Sequence, residues 1–162
     1  MRSRIGFVVA CWSIALLIAV GPTMQAQKVD DYPASQLMLD ARNLLGKGDP
    51  VTGISERKLE QYPNHYTLLI VRTKDGQSEL HEHMADVLIV LDGDATLWTG
   101  GHMTDAKPTG KGEARGTGVD GGTATTLGKG DIVHIPANVP HQIRLAPKKT
   151  ITYFVVKVAE DK

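Results

Sequence analysis

The chain has 162 residues, of which 41% are hydrophobic, 22% charged and 5% aromatic, a length that bounds it at one domain with or without a tail. Eighteen basic and eighteen acidic residues give a formal charge of +0, so no basic excess points to nucleic acid or to an acidic membrane surface. A single cysteine, Cys11, excludes an intramolecular disulfide and a cysteine-built zinc site.

Met1-Arg2-Ser3-Arg4 is short and positive. An uncharged apolar run follows from Ile5 to Val20, then a Gly21-Pro22 break and a small residue at Ala26. This order makes residues 1–26 a secretory signal peptide, cleaved after Ala26. The alternative is a permanent anchor, but the run falls short of the roughly twenty residues that span hydrocarbon. Val8-Val9-Ala10-Cys11 has the form of a lipoprotein processing site, yet the apolar run continues past it. The expectation is a secreted or periplasmic protein with no stable membrane association after cleavage.

Residues 27–50 form an N-terminal helical segment. Pro33 to Leu45 reads as one amphipathic helix, with Leu37, Ala41, Leu44 and Leu45 at helical spacing and Gly46-Lys47-Gly48-Asp49-Pro50 ending it. Residues 51–162 change to short apolar runs separated by turn residues. Tyr66 to Val71 reads as a strand. Val87 to Leu91 is apolar on both faces, which predicts burial on both sides. Asp92-Gly93-Asp94 predicts a tight hairpin, with Ala95 to Thr99 as its return strand. Ile132 to Ile135 and Ile151 to Val158 complete the set. Many short strands at regular spacing predict an all-β antiparallel sandwich or barrel.

The segment 100–130 holds ten of the seventeen glycines and no sustained apolar run. It reads as a long loop between two strands, with a short hairpin around Glu113 to Thr117. Loops of this length in compact domains are usually functional or disordered.

Six histidines carry the chemistry: His65, His81, His83, His102, His134 and His141. On a strand, His81 and His83 project from one face, with Asp86 three residues on and His141 far downstream. Neutral imidazoles with a carboxylate suit Fe(II), Mn(II), Ni(II), Cu(II) or Zn(II). The plain alternative is a pair of solvated loop histidines. His134 alternates with Val133 and Ile135 and so faces outward. His65 opens a strand, partly exposed and hydrogen-bonded. His102 lies in the glycine-rich loop, which is long enough to fold over the barrel mouth and bring it near an ion.

His81-x-His83-x2-Asp86-x6-Gly93 resembles the first motif of the cupin superfamily: His-x-His, three or four residues, Glu, six residues, Gly. Gly130-x5-Pro136-x-Asn138-x2-His141 resembles the second, in which Gly stands where this chain has Asn138. The resemblance covers Tyr66 to Val158. It implies a cupin-type antiparallel β-barrel, a jelly-roll-like double sheet, here preceded by one short helix. It further implies one divalent transition-metal ion (Fe, Mn, Zn or Ni) held by His81, His83, Asp86 and His141. Asp86 is one methylene shorter than the motif's Glu and one residue closer to His83, so it is either a ligand or a cap for the turn. Asn tolerates a left-handed backbone better than most residues, so Asn138 is a mild change.

The function implied by the resemblance is a metal-dependent enzyme on a small molecule, of dioxygenase, isomerase or lyase type. Leu68, Ile70, Val90 and Ile143 would form its apolar lining, and no general base is identifiable beyond the ligands. The alternatives are a non-catalytic exported module binding a metal or small ligand, and a structural barrel whose site has decayed. A homodimer is implied by resemblance alone.

Overall fold

The computed structural model describes residues 29–160. The expected signal peptide and Cys11 lie outside the described residues. The chain divides into two units, Met1–Asp31 and Tyr32–Lys162, and the second contains every described helix and strand. Among the described residues no helix is long and apolar enough to cross a membrane.

Helix α1 spans Ala34–Leu44, with Pro33 at its N-terminal cap. Leu37 and Ala41 are buried against Leu69 and Val71 of a strand, and Leu44 packs beside them. Leu45 is exposed, so the apolar stripe is narrower than the spacing predicts.

Thirteen strands follow among the described residues: β1 Ile54–Gln61, β2 His65–Arg72, β3 Ser78–His81, β4 Met84–Gly93, β5 Ala95–Thr99, β6 His102–Thr104, β7 Lys107–Gly110, β8 Glu113–Gly116, β9 Gly118–Asp120, β10 Thr123–Leu127, β11 Ile132–Ile135, β12 His141–Arg144 and β13 Ile151–Ala159. They form a five-stranded sheet in the order β1-β2-β13-β4-β11, a six-stranded sheet in the order β10-β5-β12-β3-β8-β7, and a small β6-β9 pair. The strand pairs are antiparallel. The main core draws on both large sheets, with Leu68, Ile70, Leu88, Val90, Leu97, Leu127, Ile143 and Val155 at its centre.

Alternation along β2 explains its unbroken apolar run. Leu68 and Ile70 enter the main core, while Leu69 and Val71 face α1. A strand covered on both faces has no polar side to present. The sequence predicts that property for Val87 to Leu91 instead. There, Leu88 and Val90 are buried, whereas Val87, Ile89 and Leu91 are only half-buried.

Two further expectations are corrected. Asp92-Gly93-Asp94 is not a hairpin within one sheet, because β4 belongs to the five-stranded sheet and β5 to the six-stranded one. It is a corner. Gly93 takes a φ of 83° there, opposite Ile151 in the register, and a Cβ at this position would meet the Thr150 carbonyl. The segment 100–130 is not one long loop, for it holds β6 to β10. The hairpin expected around Glu113 to Thr117 lies earlier in the chain: β7 and β8 pair through a turn at Lys111 and Gly112, both at positive φ, and Glu113–Gly116 is its second strand. Strand β8 also pairs with β3, setting His81 opposite Glu113 and Glu79 opposite Arg115.

Strands β1, β3 and β12 have no sequence forecast. Ile-Ser-Glu-Arg-Lys-Leu-Glu-Gln in β1 is mostly polar because it is a sheet edge, where charge discourages pairing with another chain. The other two have four residues each, too few for a visible period.

Candidate functional site

Inward-facing positions from several strands line a cavity of about 340 Å³. Alternation chooses them: Glu79 and His81 on β3, Asp86 and Leu88 on β4, Glu113 and Arg115 on β8, His141 and Ile143 on β12, and Tyr153, Val155 and Lys157 on β13. Leu68, Ile70 and Ile143 line the cavity as expected. Val90 belongs to the core but not to the cavity wall.

His81 is the centre of the polar arrangement. Its Nδ1 lies 2.6 Å from Glu113 Oε2, and its Nε2 lies 2.7 Å from Lys157 Nζ. An ammonium only donates, so Nε2 accepts and Nδ1 carries the ring proton, donated to Glu113. Lys157 also donates to Asp86 Oδ2 at 2.7 Å. The chain Glu113–His81–Lys157–Asp86 is therefore ordered in one direction. His141 is fixed in the same tautomer: its Nδ1 donates to the Val139 carbonyl at 3.0 Å, and its Nε2 stands 3.7 Å from Asp86 Oδ2.

Glu79 is held on a second side. Arg72 Nη2 lies 3.3 Å from its Oε1, and Arg115 Nη2 and His81 Nε2 lie 3.5 and 3.6 Å from its Oε2. Arg72 Nη2 also donates to the Tyr153 hydroxyl at 3.3 Å. Burial opposes charge on Glu79, but Arg72 above all, with His141, Arg115 and Lys157, holds its carboxyl below the ordinary value. Burial opposes charge on Asp86 too, and the Lys157 ammonium, bonded to Oδ2, holds its carboxyl below the ordinary value. For His141, burial pushes the imidazole below its ordinary value against the pull of Glu79, the Val139 carbonyl and Asp86. Burial raises the Tyr153 phenol.

No family model matches the sequence, and no curated protein matches it. Solved structures do. The Schizosaccharomyces pombe Cnp3 cupin domain superposes with a TM-score of 0.50 at 9% identity, over 67% of this chain and 66% of that one. A Thermus thermophilus protein superposes with a TM-score of 0.51 at 16% identity, over 74% of this chain and 95% of that one. The chain has the cupin fold.

Within this cupin barrel, three of the four residues expected as ligands converge: His81, Asp86 and His141 all line the cavity. His83 does not. Strand β3 stops at His81 and the chain bends through Glu82 and His83, so two-residue alternation no longer applies. The His83 side chain is 61% exposed and lies against Gly112 at the β7–β8 turn. The residue that shares a face with His81 is Glu79, two positions earlier rather than two later. One ligand atom each from Glu79, His81 and His141 lies within 4.8 Å of the others.

The remaining histidines stand apart from the cavity. His102 is exposed on β6, and His134 is exposed beside Glu160. His65 bonds Asn64 and stacks on Tyr62. Asn138 takes a φ of 65°, a left-handed backbone that Asn tolerates better than most residues.

Sequence reasoning missed Glu79, Glu113, Arg115 and Lys157. Two signals were available. Glu79 obeys the same alternation that was applied to His83. Lys157 interrupts the apolar run of β13 on the face of Tyr153 and Val155. Glu113 and Arg115 gave no signal, because only the β3–β8 register brings them to the site.

The donor set fits a borderline divalent cation. It offers one carboxylate and two imidazoles whose Nδ1 atoms are already engaged, which is how metal-binding histidines are oriented. Asp86 Oδ1 is buried with no protein partner, as suits a carboxylate beside a cation.

Proposed function

We propose that this chain is an exported enzyme acting on a small polar molecule inside the cupin barrel, with one divalent transition-metal ion held by Glu79, His81 and His141. The observation that carries the reading is the convergence of those three ligand atoms within 4.8 Å at the wall of the cavity. When bound, such an ion supplies Lewis acidity at a substrate oxygen, or redox chemistry if it is iron.

The chain's own residues supply the rest. Glu113 holds the His81 tautomer through Nδ1, and Val139 does the same for His141. Leu68, Ile70, Ile143 and Val155 keep part of the wall dry. Exposed Lys58 and half-buried Arg115 line the cavity and offer cations to an anionic or hydroxyl-bearing substrate. Lys157 Nζ and Tyr153 Oη are proton-bearing atoms of the wall, which favours isomerase or lyase chemistry, where a proton changes place. A volume near the lower end of the usual pocket range favours a small substrate. Export rests on the order of charge, apolar run and small residue in residues 1–26.

Elemental analysis of the untagged mature protein tests the site. The expected result is about one ion per chain, lost in Glu79→Gln, His81→Ala and His141→Ala, with an N-terminus at Gln27. No ion after reconstitution refutes the metal reading. Bound ion without turnover across a broad substrate panel leaves a binding module.

A further inference from the structure

Lys157 is a buried cation of the cavity wall that the expected ligand set does not include. It is 9% exposed and comes from the middle of β13, in register with Asp86. Its Nζ makes two short contacts, 2.7 Å to His81 Nε2 and 2.7 Å to Asp86 Oδ2. Both atoms belong to residues that the first motif would give to a metal ion. Asp86 Oδ2 in turn stands 3.7 Å from His141 Nε2. The ammonium therefore supplies positive charge among the same donors that would surround a divalent cation.

The decisive point is one of valence. With Nδ1 protonated toward Glu113, His81 has one lone pair, on Nε2. That lone pair accepts a hydrogen bond from Lys157 or binds a metal ion, and it cannot do both.

We propose that Lys157 is an internal competitor for the metal ion, its ammonium and a divalent cation excluding one another at His81 Nε2. The cavity then has two states. In one, Lys157 closes the site and neutralises Asp86. In the other, the lysine leaves His81, and its long flexible stem allows that movement. The second state rests on the metal reading above; the first does not. Affinity for the ion is lowered by whatever holds Lys157 in place. Removing the ammonium frees the His81 lone pair and leaves Asp86 as an unpaired anion beside the site, and both effects favour the cation.

The test is titration of Zn(II), and of Co(II) for its visible spectrum, into metal-stripped wild type and Lys157→Met. Alongside, the lysine methylene NMR signals of the wild type are followed with zinc. The expected result is binding at least about tenfold tighter in K157M, a nitrogen-bearing Co(II) spectrum abolished by adding His81→Ala, and a shifted Lys157 signal in the zinc-loaded wild type. Equal or weaker binding in K157M than in wild type overturns the competition and leaves the metal reading intact. Binding in K157M alone supports the competition and overturns the resident metal. No binding in either overturns both. If K157M fails to fold, an unmoved Lys157 signal under excess zinc overturns the proposal.

Discussion

The Lys157–Asp86 pair makes a quantitative prediction in the metal-free protein. Side-chain exposures of 11% and 7% put both charges inside the barrel, joined at 2.7 Å. Removing one member of a buried pair strands the other charge and costs about 3–5 kcal/mol. Asp86→Asn is expected near the lower end, about 3 kcal/mol, because Lys157 keeps His81 as an acceptor. For a domain of this size that is a fall of about 10 °C in Tm. Removing both charges is different: no stranded ion remains, and an apolar replacement of similar volume approaches wild type. Urea unfolding of wild type, D86N, K157M and the D86N/K157M double variant at neutral pH gives the cycle. The double variant should be more stable than the sum of the single losses by at least about 2 kcal/mol. A loss below about 1 kcal/mol in D86N, or additive single losses, refutes the claim that this pair is buried and mutually dependent.

Other outcomes follow from the same geometry. Asp86 has a carboxyl held below its ordinary value when folded, so the unfolded chain binds more protons in that range. Its contribution is present above pH about 4 and lost as pH falls through the folded value, and D86N flattens that acid limb in pH-dependent unfolding of the metal-free protein. Glu113→Gln weakens the orientation of His81 and should lower zinc affinity by about 10- to 100-fold in calorimetry while leaving the fold intact. His83→Ala should leave zinc affinity unchanged, since its side chain is 61% exposed; a tenfold loss would return His83 to the ligand set. Gly93→Ala should lower stability by more than about 1 kcal/mol in urea unfolding, because its φ of 83° and the Thr150 carbonyl both oppose a Cβ.

The class of fold and part of the site were legible in the order of residues. Turn-separated apolar runs predict antiparallel strands, and β5, β11 and most of β13 lie where those runs predict them. The resemblance of the two spaced motifs to those of the cupin superfamily implied that His81, Asp86 and His141 share one site, and all three line the cavity. Alternation failed at His83 because a strand's end is set by its neighbours: β3 stops where Asn138 N bonds the His81 carbonyl and Glu82 N bonds the Gly112 carbonyl.

The rest depends on long-range strand pairing. Glu113 is 32 residues from His81 and Lys157 is 76, separations that no local period spans. Register between β3 and β8 puts Glu113 behind the imidazole, and register between β4 and β13 puts an ammonium beside Asp86. The glycine-rich segment looked structureless because each of its strands has five residues or fewer and little apolar content. Its role as the wall that carries Glu113 and Arg115 exists only through hydrogen bonds to β3. Residue types told which chemistry the barrel could hold. Long-range pairing told which side chain stands where that chemistry would occur.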